Sequence, residues 1–211
     1  MSVLNTGLQL EITIDNVVTF VTALSPIILT IFFLLNSALN FDIRGFLWLL
    51  GLLVTEMIRL ALRAMLKHEK PSKYANINFC SVFEDPFGLV HGHYTMPSFH
   101  GTFHGYTISY LLYGIMNNPK SPGIPFISTL VLIALLDFLY RFKNGCEDMV
   151  SIFVGVLYGI IMGFGAATVV SGAFGKENRH KNIYFGKQDK LKQCSIDNKK
   201  YSCKVKKKVT I

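Results

Sequence analysis

Residues 17–39 read VVTFVTALSPIILTIFFLLNSAL, 23 positions without one charged side chain. An α-helix rises about 1.5 Å per residue, so about 20 apolar residues cross a bilayer hydrocarbon core roughly 30 Å thick. This stretch is therefore read as a membrane span, and the rest of the chain follows the same plan. Residues 46–66 begin apolar and end amphipathic, with Glu56, Arg59 and Arg63 inside the run. Residues 124–140 form a shorter run with Asp137 near its end, and residues 148–170 are apolar and rich in glycine. Residues 98–116 are more polar, with His100, His104 and several hydroxyls; between the other runs they read as an interior helix lining a site. Breakers fall at 40–45, 67–96, 117–123 and 142–146. The sequence thus predicts an all-α, polytopic membrane helical bundle of about five transmembrane helices.

Composition agrees with that class. Of 211 residues, 51% are hydrophobic and 16% charged, against roughly 25% charged in an ordinary soluble domain. A disordered or collagen-like chain is excluded, and four cysteines are too few for a disulfide scaffold. The charge is uneven. Residues 1–175 carry nine Lys and Arg against ten Asp and Glu, whereas residues 176–211 carry twelve against three. The net +8 is a property of the tail, so a nucleic-acid partner is not indicated. Two regions follow: a membrane-embedded domain, 1–175, and a basic, disordered, cytosolic tail, 176–211. Tyr184, Phe185 and Tyr201 lie among the tail's lysines, and anionic lipid headgroups are its expected partner.

Basic residues directly after the last span keep the C-terminus cytosolic. Five spans then place the loop 67–96 and the turn 142–146 on the non-cytosolic face, where Cys80 and Cys146 could pair. The first run is too long for a cleaved signal peptide and has no basic residue before it. The expected location is an integral, multi-pass one in the endoplasmic reticulum or another internal membrane.

Three polar clusters interrupt the apolar plan. Glu56, Arg59, Arg63, Lys67 and Lys70 are spaced three or four apart, forming one stripe that runs off the end of its helix. Basic residues there either snorkel to headgroups or cradle an anion. The second cluster contains His91, His93, Pro97, Ser98, Phe99, His100 and His104. With Pro97 in the first turn, amides near Ser98–His100 would face an anion, and His100 could donate a proton to a leaving oxygen. Four histidines also permit a metal reading, although no His-Glu-x-x-His spacing accompanies them. The third cluster holds Arg141, the Asn144-Gly145 turn, Glu147 and Ser151, and continues through Gly155, Gly159 and Gly163. That small-residue stripe allows close helix approach.

In order and spacing, the three clusters resemble the type-2 phosphatidic acid phosphatase superfamily of membrane lipid phosphatases. Its motifs are Lys-x6-Arg-Pro, Pro-Ser-Gly-His and Ser-Arg-x5-His-x3-Asp. The corresponding residues here are Arg63-x6-Lys70-Pro71, Pro97-Ser98-Phe99-His100 and Arg141-x5-Glu147-x3-Ser151. Tyr94-Thr-Met-Pro97-Ser98 most resembles the dolichyl diphosphatase branch. The resemblance implies hydrolysis of a lipid (polyprenyl) phosphate or pyrophosphate at the non-cytosolic face, through a phosphoenzyme and without a metal or other cofactor. Arg63, Lys70 and Arg141 would hold phosphate, aided by Ser98 and the Phe99–His100 backbone, with His100 as general acid. The chain departs from the family at its nucleophile, where Glu147 replaces histidine, and at the orienting acid, where Ser151 replaces aspartate. Glu147 could attack phosphorus itself, or His104, His91 or His93 could supply the imidazole. The alternative is a catalytically inactive relative that binds phosphorylated lipid or acts as a membrane interaction protein.

Overall fold

Five helices follow one another along the chain: α1 (Ile14–Leu39), α2 (Arg44–Leu66), α3 (Phe99–Met116), α4 (Ile124–Lys143) and α5 (Met149–Ala173). The structure, a computed structural model, describes residues 14–68, 94–118, 123–173, 183–185, 193–197 and 200–204. Three helices, α2, α4 and α5, are long and apolar enough to cross a membrane. The segment 46–66 starts two residues earlier than its apolar pattern, because the Asp42 carboxylate accepts from the Arg44 amide at 3.0 Å and opens the helix there. The larger departure is α4. It runs on to Lys143, so Arg141, read from sequence as lying just beyond the span, is in the last helical turn and faces the same side as Asp137. Gly145, at φ 67°, then reverses the chain, and the Gly145 and Cys146 amides close on the Phe142 and Arg141 carbonyls at 3.0 and 2.8 Å.

Burial is inverted relative to a soluble bundle. Phe153, Ile161 and Val169 of α5 are 62, 70 and 71% exposed, while Arg59, His100, Asp137 and Arg141 are 5% exposed or less. Helix α3 is the central one, with most of its residues buried. Its closest neighbour is α5, and small residues set the distance. A Cβ on Gly155 would lie 2.7 Å from the Ser98 carbonyl oxygen, and one on Gly101 would lie 2.6 Å from that of Ile152. Both helices therefore approach through bare backbone, as the glycine stripe predicts. Between α1, α2 and α3 the core is aromatic: Phe33 stacks near Trp48 at 4.7 Å, and the Tyr106 hydroxyl donates to the Trp48 carbonyl at 2.9 Å.

The start of the tail belongs to this core. Ile183 is wholly buried, and the Tyr184 hydroxyl lies 3.0 Å from both Ser37 Oγ and the Phe33 carbonyl oxygen. Tyr184, expected among lysines at a headgroup surface, is instead a plug at the bundle end where α1 meets α2. Farther on, Gln193–Asp197 and Lys200–Lys204 pair as an antiparallel ribbon with Cys194 opposite Cys203. The tail, expected to be disordered, therefore carries an anchor and a two-stranded element, the one strand pair among the described residues.

Candidate functional site

Connectivity puts the C-terminal ends of α2 and α4 and the N-terminal ends of α3 and α5 at one end of the bundle. Arg63, Ser98, His100, Arg141, Glu147 and Ser151 all fall there, and each is 5% exposed or less. The described residues of the three motifs thus lie at one end of the bundle, and Lys70, Pro71, His91 and His93 are outside the described residues.

Local structure fixes the second motif. Pro97 follows a cis peptide and stays outside the helix, so the expectation of Pro97 in the first turn is corrected: Ser98 is the N-cap. Its Oγ accepts from the Gly101 amide at 3.1 Å, and its own amide donates to the Ser151 carbonyl at 3.1 Å. Phe99 is partly exposed, and its ring lies under the Arg59 guanidinium at 5.3 Å. Arg59 also donates from Nη1 to the Pro97 carbonyl at 3.3 Å, and from Nε to Glu56 at 2.7 Å. It thereby ties α2 to the motif. Arg59 belongs to the basic stripe, but the family pattern selects its neighbour Arg63 instead.

The centre of the site is a chain of four side chains from α3, α4 and the turn after it. His100 Nδ1 lies 2.6 Å from Asp137 Oδ2, and Arg141 donates through Nη2 to His100 Nε2. A guanidinium has no acceptor, so Nε2 must offer its lone pair and the ring proton must sit on Nδ1, pointing at the carboxylate. Arg141 Nε is 3.5 Å from Asp137 Oδ1, and Nη1 donates to Glu147 Oε1 at 3.2 Å. His104, one turn along α3, places Nε2 3.3 Å from Asp137 Oδ2 and 3.3 Å from Ser25 Oγ. Asp137, wholly buried, is the member that the motif pattern does not contain. Its signal was the i, i+4 spacing to Arg141 within an apolar run, where an acid is costly unless paired.

Ser151 holds the backbone frame. Its Oγ donates to Asp148 Oδ1 at 2.5 Å and meets Thr95 Oγ1 at 2.9 Å. Asp148 caps α5 by accepting from the Ser151 amide at 3.1 Å, and His68 lies 3.7 Å away. Partial burial pushes the Asp148 carboxyl up, but the Ser151 hydroxyl and amide bonds, helped by His68, outweigh that and hold it below its ordinary value. Cys146, in the turn beside Glu147, is disulfide-bonded; the expected partner, Cys80, lies outside the described residues.

His100, His104 and Asp137 offer three ligand atoms within 4.8 Å of one another, a donor set that zinc accepts. The Arg141 guanidinium on His100 and beside Asp137, however, puts a fixed positive charge where a dication would add two more. A cavity of about 150 Å³ opens between α3, α4 and α5, lined by Ile108, Leu112, Ala134, Phe138 and Ile160 among others, with His104 among its lining residues. Comparison with family models, curated proteins and solved structures returns no match.

Proposed function

We propose that this chain is an integral membrane lipid phosphatase-like protein with five transmembrane helices, acting on a lipid phosphate or pyrophosphate. The observation that carries the reading is the buried Arg141–His100–Asp137 chain, at the end of the bundle where Arg63 and the Ser98 cap also lie. A fixed guanidinium beside an imidazole lone pair fits a phosphoryl group, which needs its charge held while phosphorus is attacked. The apolar exterior of α2, α4 and α5 supports a bilayer setting. The apolar cavity bordered by His104 supports a substrate with a hydrocarbon chain.

The site faces the non-cytosolic side in this reading, and two features agree on it. The basic tail leaves from the opposite end of the bundle. The Cys146 disulfide stands at the site end, and disulfides persist in oxidising compartments. The tail beyond the Tyr184 anchor is assigned to anionic headgroups on the cytosolic face. Purified protein in mixed micelles with EDTA should release phosphate from a polyprenyl diphosphate or phosphatidic acid. His100→Ala and Arg141→Ala should each abolish release.

One observation favours a second reading, a relative that binds phosphorylated lipid without turnover. Glu147 and Ser151, at the positions of the family's nucleophile and its orienting acid, are occupied with Arg141 and with Asp148 and Thr95. Saturable binding of lipid phosphate with no phosphate release would establish that reading.

A further inference from the structure

We infer that the Glu147 carboxylate is the resident anion of the Arg141 guanidinium, and that a lipid phosphate binds there by displacing it. The inference rests on the lipid-phosphate reading above and holds whether or not the bound lipid is then hydrolysed.

The first observation is how Arg141 is already used. Nε lies 3.5 Å from Asp137 Oδ1, Nη1 donates to Glu147 Oε1 at 3.2 Å, and Nη2 donates to His100 Nε2. Each guanidinium nitrogen therefore faces a protein partner, and two of the three partners are carboxylates. A phosphate gripped by neighbouring nitrogens of the same fork would be a third anion on one cation. Arg141 and Asp137 are shielded from water, where like charges repel most strongly. One carboxylate has to leave as the phosphate arrives.

The second observation says which one. Asp137 stands within α4, wholly shielded, with His100 Nδ1 at 2.6 Å and His104 Nε2 at 3.3 Å on the same oxygen. Moving it would strip both imidazoles of their acceptor. Glu147 stands outside the helices, in the bend between α4 and α5.

The third observation limits the motion to the Glu147 side chain. Cys146 is disulfide-bonded, and its amide closes on the Arg141 carbonyl at 2.8 Å. On the other side, Asp148 caps α5 by accepting from the Ser151 amide at 3.1 Å. Both neighbours are held, so the carboxylate leaves by rotation about its own side-chain bonds while the helices stay in place. No covalent bond is made or broken; one anion replaces another on the guanidinium. The residue at the position of the family's nucleophile is thus a competitor of the ligand.

The test uses the full chain in detergent micelles with a radiolabelled long-chain lipid phosphonate, whose carbon–phosphorus bond resists hydrolysis. Glu147→Gln and Glu147→Ala, each checked for a cooperative unfolding transition, should lower the phosphonate Kd about 10-fold or more. That is the value of one charge-assisted hydrogen bond returned to the ligand. Asp148→Asn removes the next charge on the same turn, and its Kd should stay within about twofold of the unaltered chain. Inorganic phosphate, as a separate arm, should displace the phosphonate from Glu147→Gln at lower concentration than from the unaltered chain. A Kd unchanged or raised in both Glu147 variants would mean that the carboxylate holds Arg141 for the ligand and does not compete with it. An equal gain in Asp148→Asn would mean a general charge effect, and phosphonate that inorganic phosphate never displaces would mean recognition of the hydrocarbon chain. The first two results overturn the inference and leave the lipid-phosphate reading standing. The third, or no phosphonate binding by the unaltered chain and both Glu147 variants, defeats that reading and this inference together.

Discussion

Helix α3 presents two adjacent faces with opposite chemistry. The Gly101–Gly105 face meets α5 backbone to backbone, close enough that a Cβ on Gly105 would lie 2.5 Å from the Val156 carbonyl oxygen. The His100–His104 face, one residue round, meets α4 chiefly through charge, with both imidazoles on Asp137 and His104 also edge-on to Phe138. The first contact is held by shape and dispersion; the second is held by compensation, since each buried charge needs its partner. The glycine face therefore fixes where α3 stands, and the histidine face is held against α4 from that fixed position.

The contrast is broken most severely on the charged side. Arg141→Ala leaves Asp137 and Glu147, 0 and 4% exposed, without their guanidinium. Removing one partner of a buried ionic network costs about 3–5 kcal/mol. Thermal unfolding in detergent should show the loss. Adding Glu147→Gln to Arg141→Ala should recover part of it, because one buried carboxylate that lost its guanidinium is then neutral. Equal stability of the single and double variants would show that Glu147 is solvated or paired elsewhere once Arg141 is absent.

On the glycine side the expected effect is smaller. Gly155→Val places a branched side chain where even a Cβ would stand 2.7 Å from the Ser98 carbonyl oxygen. Overpacking of this kind costs about 1–3 kcal/mol. Because Ser98 caps α3, the shift also carries His100 away from Asp137. Phosphate release should fall further than the loss of stability explains, whereas Gly172→Val, with nothing within 4 Å of its Cβ, should leave both unchanged.

The glycine face was legible in the sequence and the charged face only in part. Four-residue steps from Ser151 through Gly163 are a pattern within one segment, and such a pattern survives without knowledge of its partner. The helix positions were legible for the same reason: apolar length and breakers are local. Asp137 was visible as an acid near the end of a short run, but its meaning depends on His100, 37 residues away on another helix. Periodicity cannot supply that pairing. The end of α4 was misplaced by three residues, because the Asn144-Gly145 turn was given the preceding polar residues as well. This left Arg141 outside the span and hid its shared face with Asp137. Tyr184 shows the opposite error: a basic setting suggested solvent, yet one aromatic ring with a hydroxyl filled the gap between Phe33 and Ser37.

Between the two faces lies the Ser151 hydroxyl, which belongs to the α5 frame but touches the loop leading into α3. Ser151→Ala removes its bonds to Asp148 and Thr95. A net hydrogen bond is worth about 1 kcal/mol, so Tm should fall by a few degrees. Turnover should fall less than in Gly155→Val, because the Ser98 amide keeps its bond to the Ser151 carbonyl. A loss of turnover as large as that of His100→Ala would mean that Ser151 acts on the substrate and not on the frame.

The smallest effect is a pH dependence at the same cap. Asp148 is held below its ordinary value of 3.8 in the folded protein. A carboxyl with a depressed folded pKa binds protons more readily when unfolded. It therefore adds stability above pH 3.8, and that stability disappears as pH falls through the lower, folded value. The groups facing it are Ser151 from α5, Thr95 from the segment before α3 and His68 from the end of α2. Comparison of the unaltered chain with Asp148→Asn isolates this contribution. The Tm difference between them should be constant through neutral pH and narrow as the solution is acidified past the ordinary carboxylate range. A difference that widens on acidification would mean that the protonated acid is the better cap, and that the Ser151 bonds do not favour the carboxylate.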